Sequence, residues 1–184
     1  MKKSQENYGL VSIIVHWIVA LVVFGLFALG FWMVDLTYYD SWYKTAPSLH
    51  KSIGLSLFAL MIFRVFWRVT HAKVSPLNNH KHWERKASHA THILLYVLLF
   101  VIMCSGYLIS TADGRGIAFF DLFDVPGFGS LVEDQEDKAG LIHQYVGYFM
   151  MCVVLIHIVA ALKHHIIDKD KTLLRMLGNN KNRV

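Results

Sequence analysis

The sequence predicts an all-α fold, a transmembrane four-helix bundle with both termini on the cytoplasmic side. Three observations predict it. Of 184 residues, 55% are hydrophobic and only 17% are charged, against about 45–50% and about 25% in a soluble domain, and the mean hydropathy is +0.41. So large an apolar share does not fit inside a soluble globule of this size, which disfavours a soluble enzyme, a disordered chain and a nucleic-acid binder. Four stretches are long and apolar enough to span a bilayer, whose hydrocarbon core of about 30 Å takes about 20 helical residues. Lastly, 14 of the 18 Lys and Arg fall on alternate connections and the termini, which marks that side as cytoplasmic.

The first span covers about 10–34 and holds no Lys, Arg, Asp or Glu. It is longer than a signal-peptide core and has no small-x-small cleavage site, so it is expected to be retained. The second, about 49–69, is uncharged from Ser52 to Phe63 and carries Arg64 and Arg68 near its end. The third covers about 92–112, and the fourth, about 141–167, is uncharged until Lys163. The outer connection 113–140 contains the run Ile117-Ala-Phe-Phe-Asp-Leu-Phe123. That run is too apolar for a solvated loop and is expected as a short amphipathic element at the interface, or folded over the helix ends. Residues 168–184 form a basic cytoplasmic tail. Pro47, Pro76 and Pro126 are expected in loops. Cys104 and Cys152 sit in apolar runs and are expected to pack in a core; without a C-x-x-C-H motif, covalent haem attachment is excluded.

Charge is sorted as well as scarce. The outer side holds nine of the 13 acids and sums to −5, the inner side to +10, and the chain to +5. The basic balance therefore reports topology and not nucleic-acid affinity.

The 11 histidines are the other excess. Ionisable groups inside membrane spans are costly and mark function by default. His143 and His157 are 14 residues apart on the fourth span, within about 40° of the same helix face and about 21 Å apart along it. His16 lies at the inner level with His157, and His50 at the outer level with His143. Neutral imidazole is an axial ligand for haem iron, and bundle cores hold such sites. Metal transport through these histidines would predict acids beside them, and the spans contain almost none apart from terminal Asp35.

The same step of 14 leads from His16 to Gly30 and from His92 to Gly106. A glycine there lets a flat macrocycle approach the helix, ordinary helix packing being the equal alternative. From His50 the step leads to Arg64, placed to pair with a haem propionate or to snorkel to lipid phosphate. His89 and His92 share a face at the inner start of the third span. They are candidates for a quinone headgroup pocket or for proton exchange, or rival ligands for the inner site. His71, His80 and His82 read as solvated loop residues, and His164 and His165 as interfacial.

Taken in order, several short motifs carry a resemblance. They are Tyr8 through His16-Trp17, Leu49-His50-Lys51-Ser52-Ile53-Gly54, His89-Ala-Thr-His92-Ile-Leu-Leu-Tyr96, Ser105-Gly106-Tyr107, the 117–123 run, His143, and the stretch from His157 to Asp170 followed by Thr172-Leu-Leu-Arg-Met. Over about residues 8–177 the chain resembles the bacterial cytochrome b561 family of four-helix membrane proteins. The resemblance implies two non-covalent haem b groups ligated by His16, His50, His143 and His157. It implies electron transfer linked to ubiquinone or menaquinone in the bacterial inner membrane. The expected function is electron transfer between the quinone pool and a periplasmic redox partner, which the acidic outer face suggests is a basic protein. One branch resembles a superoxide oxidase that passes electrons to ubiquinone and carries a basic outer surface. Here the outer −5 repels the anion. A further alternative is an anchor and electron-relay subunit of a larger dehydrogenase or hydrogenase.

Overall fold

The computed structural model describes residues 7–72, 74–77 and 80–178. It is mostly helical, with four long helices, α1 Leu10–Met33, α2 Thr45–Thr70, α3 His82–Ser110 and α4 Gln135–Ile166. Two short strands, β1 Ile117–Phe119 and β2 Phe123–Val125, and a terminal turn of helix, α5 Thr172–Met176, complete it. All four long helices are long and apolar enough to cross a membrane. Only 11–17% of their most apolar stretches is buried within the molecule, so the outward surface is itself apolar and suited to lipid.

What is buried is a stripe from each helix. Val15, Val19 and Val23 recur every four residues along α1 and meet Leu57 and Met61 of α2, Leu98 and Leu99 of α3, and Met150 and Val153 of α4. The spacing puts successive valines on one face, and the β-branched side chains fill the centre without polar atoms. Cys104 and Cys152 are both exposed. They lie on the outward faces of their helices, which corrects the expectation that they pack in a core.

Three helices begin before the apolar stretches that predict them. Thr45 opens α2 ahead of Pro47, so that proline is helical and not in a loop. The first turn tolerates it because its missing N–H has no intrahelical acceptor. Helix α3 starts at His82, where Glu84 accepts a hydrogen bond from the Lys81 N–H at 2.8 Å. This satisfies an otherwise orphaned backbone donor and adds a polar first turn. His89 and His92 consequently lie well inside α3, not at its start. Helix α4 starts at Gln135, whose buried side chain donates to the Leu108 carbonyl at 2.9 Å and accepts from the Leu131 N–H at 2.7 Å.

The 117–123 run, expected as a short amphipathic element or as a fold over the helix ends, forms an antiparallel hairpin in the register Ile117 to Val125 and Phe119 to Phe123. It lies against α2 through buried Ser52, whose hydroxyl donates to the Ala118 carbonyl at 3.2 Å and accepts from the Phe120 N–H at 3.0 Å. The turn holds Phe120 and Asp121 at φ 49° and 58°, a region that is uncommon for bulky residues. The hairpin covers the end of the molecule where α2 begins.

At the opposite end the chain after α4 folds back. Arg175 donates to the Ser75 carbonyl at 2.9 Å, and the Trp17 indole N–H donates to the Met176 carbonyl at 2.8 Å. The last residues of the expected basic tail, 179–184, lie outside the described residues.

Candidate functional site

The hairpin end brings His50 of α2 and His143 of α4 together, with ring centroids 6.1 Å apart and planes at 68°. Two metal–nitrogen bonds of about 2 Å each can bridge such a separation. The His143 Nδ1–H donates to the Ile102 carbonyl at 3.0 Å, and Ser105 Oγ lies 3.1 Å from the same nitrogen while donating to that carbonyl at 2.9 Å. A proton fixed on Nδ1 leaves the Nε2 lone pair of a neutral ring available for a ligand. Among the described residues the buried Nδ1 of His50 has no hydrogen-bond partner. Buried polar groups without partners are exceptions that call for an explanation.

Gly30 and Gly106 stand directly behind these rings. A Cβ on Gly30 would come within 3.1 Å of His50 Cε1, and a Cβ on Gly106 within 3.1 Å of His143 Cε1 and 3.3 Å of its Nδ1. The neighbour each glycine makes room for is thus an imidazole. The space is a cradle for the ring.

The tail end gathers four further groups. Arg64 Nη2 donates to His16 Nδ1 at 3.0 Å. His92 packs edge-on to His157 with centroids 5.2 Å apart, and His16 lies within electrostatic reach of both. With Nδ1 accepting from Arg64, a neutral His16 carries its proton on Nε2. Arg64 and Arg68 both lie over the Tyr96 ring, at 5.4 and 5.6 Å. Among the described residues no carboxylate pairs with Arg64, although it is half-buried. His89, by contrast, is exposed.

Sequence reading misses several contributors. Ser105 and Tyr96 stand in the motifs above without a role of their own, and Ile102 is not singled out at all; the three touch His143, Arg64 and Arg68. His80, read above as a solvated loop residue, is largely enclosed and pairs with Asp170 at 2.8 Å, because the returning tail covers it. His71 stacks on Trp67 at 3.6 Å, and His82 is the first residue of α3.

Imidazoles facing one another inside an apolar helical protein are the framework of a haem-binding membrane cytochrome. The chain matches the prokaryotic cytochrome b561 family over residues 7–179. It is 48% identical over 177 residues to cytochrome b561 homolog 2 of Escherichia coli strain K12, covering 96% of this chain and 94% of that protein. It is 28% identical over 186 residues to cytochrome b561 homolog 1 of the same strain, covering 96% of this chain and 100% of that one. A probable superoxide oxidase, CybB, of Yersinia pestis is 25% identical over 178 residues, covering 94% of this chain and 97% of its own. This chain belongs to the prokaryotic cytochrome b561 family. It is a multi-pass protein of the bacterial inner membrane and a b-type cytochrome of electron transfer, and its family implies haem b. The facing rings of His50 and His143, the orphaned His50 Nδ1 and the two glycine cradles fit such a group.

Proposed function

We propose that the protein holds two haem b groups and moves electrons between the quinone pool and a redox partner on the periplasmic side, with both termini cytoplasmic. The observation that carries the reading is the placing of imidazole groups at both ends of one helical core. His50 and His143 hold one haem, and His16 and His157 hold the other. Held by two imidazoles each, these groups would supply one-electron transfer and not oxygen binding.

The remaining roles fall to the chain. Ser105 and the Ile102 carbonyl orient His143. Gly30 and Gly106 keep space for the ring planes of His50 and His143. A half-buried guanidinium without a carboxylate needs an anion, and Arg64 answers that need with a haem propionate. Released from Arg64, His16 Nδ1 would be free to carry the ring proton, which would leave the Nε2 lone pair for a ligand. His92 is the rival partner of His157, and loss of one haem in His16→Ala but not in His92→Ala is the expected outcome.

A cavity of about 310 Å³ opens between α2 and α3, with Val65, Arg68, His89, His92, Tyr96 and Phe100 in its lining. Reduction of ubiquinone or menaquinone needs two protons as well as two electrons. His89 is exposed and His92 half-buried at this cavity, and an imidazole has both a donor and an acceptor nitrogen to offer a headgroup. Their position at this cavity supports a quinone headgroup site there.

The periplasmic side sums to −5, which favours a partner with a basic surface and disfavours a small anion. Superoxide is the second reading, because one relative is named a probable superoxide oxidase. The third is a relay subunit in a larger dehydrogenase or hydrogenase complex. The test is a reduced-minus-oxidised visible spectrum of the purified chain with haem quantification. Two haem b per chain are expected, and one in His157→Ala. A colourless protein that regains no haem on reconstitution refutes the reading, and equal loss of both haems in His157→Ala refutes the separation into two levels. Reduction by a quinol compared with reduction by superoxide separates the first two readings. Co-purification with a large soluble subunit favours the third.

A further inference from the structure

The returning tail assembles a group of side chains that the electron-transfer reading does not use. His80 precedes α3, His164 lies in the last turn of α4, and Asp170 lies just before α5. Their donor atoms all lie within 4.8 Å of one another. His80 Nε2 is 2.8 Å from Asp170 Oδ2, and His164 Nδ1 is 3.1 Å from the same oxygen. The two imidazole planes are tilted by 34°, with centroids 4.6 Å apart. The Asp170 side chain is only 2% exposed and the two histidine side chains 16% each.

We propose that His80, His164 and Asp170 form a binding site for one divalent ion of the zinc class. Four features favour an ion over a simple hydrogen-bonded cluster. The buried His164 Nδ1 lies 2.8 Å from Asp168 Oδ2 and 3.1 Å from Asp170 Oδ2, yet makes a hydrogen bond to neither. It is within reach of both carboxylates but aligned with neither, whereas His80 Nε2 is hydrogen-bonded to Asp170 Oδ2 at 2.8 Å and lies 3.3 Å from Thr172 Oγ1. The spacings also suit a metal. Tetrahedral zinc with bonds of about 2.0–2.1 Å sets its ligand atoms about 3.3 Å apart, and the observed 2.8 and 3.1 Å open to that value by a few tenths of an ångström.

The carboxylate is held for the task. Asp170 Oδ1 accepts from the Thr172 N–H at 2.8 Å, leaving Oδ2 turned to the histidines. Outer hydrogen bonds of this kind orient metal ligands. Finally, the site has an entry. A polar cavity of about 270 Å³ is lined by His80, Lys81, Glu84, Lys163, Asp168 and Asp170, and its solvent can supply the fourth ligand. Asp168 is already engaged by Lys163 at 2.6 Å and is not needed for that place.

Two imidazoles and one carboxylate select Zn²⁺, Co²⁺ or Ni²⁺ over Mg²⁺ and Ca²⁺, which prefer all-oxygen shells. Bound there, the ion ties the segment before α3, the end of α4 and α5 into one unit. That unit bears on Trp17, beside His16, through the Trp17 to Met176 hydrogen bond. The inference stands independently of the haem and quinone assignments.

The test is Zn²⁺ binding to the haem-loaded, untagged full-length chain in detergent, measured by equilibrium dialysis and metal analysis in millimolar Mg²⁺. One tightly bound Zn²⁺ per chain is expected. Loss of a direct ligand in His80→Ala or Asp170→Asn should weaken binding beyond the roughly 10–100-fold effect of an outer-shell change, with haem content unchanged. His71→Ala and His82→Ala should leave binding intact. X-ray absorption at the zinc edge of the unaltered protein should show two imidazoles and oxygen donors at about 2.0–2.2 Å, a readout that requires no variant to fold. Absence of tight Zn²⁺, undiminished binding in both ligand variants, or a zinc shell with fewer than two imidazoles overturns the proposal.

Discussion

Replacing Gly106 by alanine tests the cradle behind His143. The added Cβ would lie 3.1 Å from His143 Cε1 and 3.3 Å from Nδ1, whereas carbon atoms settle at about 3.5–4.0 Å. The ring must yield by about 0.4 Å or the helix must shift. It is not free to yield, because its Nδ1–H is bonded to the Ile102 carbonyl at 3.0 Å. Overpacking of this kind costs about 1–3 kcal/mol, against a gain of about 0.5–1 kcal/mol for alanine over glycine inside a helix. The net is a loss of up to about 2.5 kcal/mol, or up to about 60-fold in haem retention at one tenfold per 1.4 kcal/mol. Gly30→Ala is the paired case. Its Cβ would meet His50 Cε1 at the same 3.1 Å, but among the described residues no hydrogen bond holds the Nδ1 of that ring, so a smaller loss of haem than in Gly106→Ala is expected. Gly25→Ala, with nothing within 4 Å of its Cβ, is the control. The assay is haem release to apomyoglobin together with thermal melting followed at the Soret band. If Gly106→Ala and Gly25→Ala retain haem equally, the cradle argument is wrong.

Three further outcomes follow from the same contacts. Ser105→Ala removes the hydroxyl 3.1 Å from His143 Nδ1 and should weaken haem retention about tenfold, the lower end for an outer-shell hydrogen bond; unchanged release kinetics would mean that the Ile102 carbonyl alone orients the ring. Trp17→Phe removes the 2.8 Å hydrogen bond to Met176, worth about 0.5–1.5 kcal/mol, so tail opening and limited proteolysis near α5 should rise about 2–12-fold, and equal cleavage rates would argue against it. In the connection between α1 and α2, the Thr37 hydroxyl and N–H both donate to Asp40 at 2.7 Å and hold its carboxyl below its usual pKa. A depressed pKa stabilises the turn above the ordinary carboxylate value and loses that contribution as pH falls through the folded one. Amide exchange of residues 37–40 should therefore speed up below about pH 4 beyond the intrinsic rate, and should not do so in Asp40→Asn.

The four long helices were legible because each is a local property. An uninterrupted apolar stretch of the right length is helical in lipid whatever its neighbours do. The histidine levels were legible for the same reason, since helix pitch converts the 14-residue step between His143 and His157 into depth and face. The hairpin was not legible. Short hairpin turns with left-handed residues are announced by Asn-Gly, Asp-Gly or a well-placed glycine, but here Phe120 and Asp121 occupy that region within the three-residue loop between Phe119 and Phe123, and the Phe120 N–H is held by Ser52 on a different element. The enclosure of His80 was hidden too, because its partner Asp170 lies 90 residues away.

By itself, the sequence determined that this protein is built of membrane-length helices, where imidazoles fall along them, and how charge divides between the two sides. Only the tertiary structure decided which groups meet. It set His143 on the Ile102 carbonyl, Arg64 on His16, His92 against His157, and His80 and His164 around Asp170. Helix periodicity fixes the direction of a side chain about its own axis. It says nothing of how far the neighbouring helix is turned, and a hydrogen bond is won or lost on a few tenths of an ångström of that rotation.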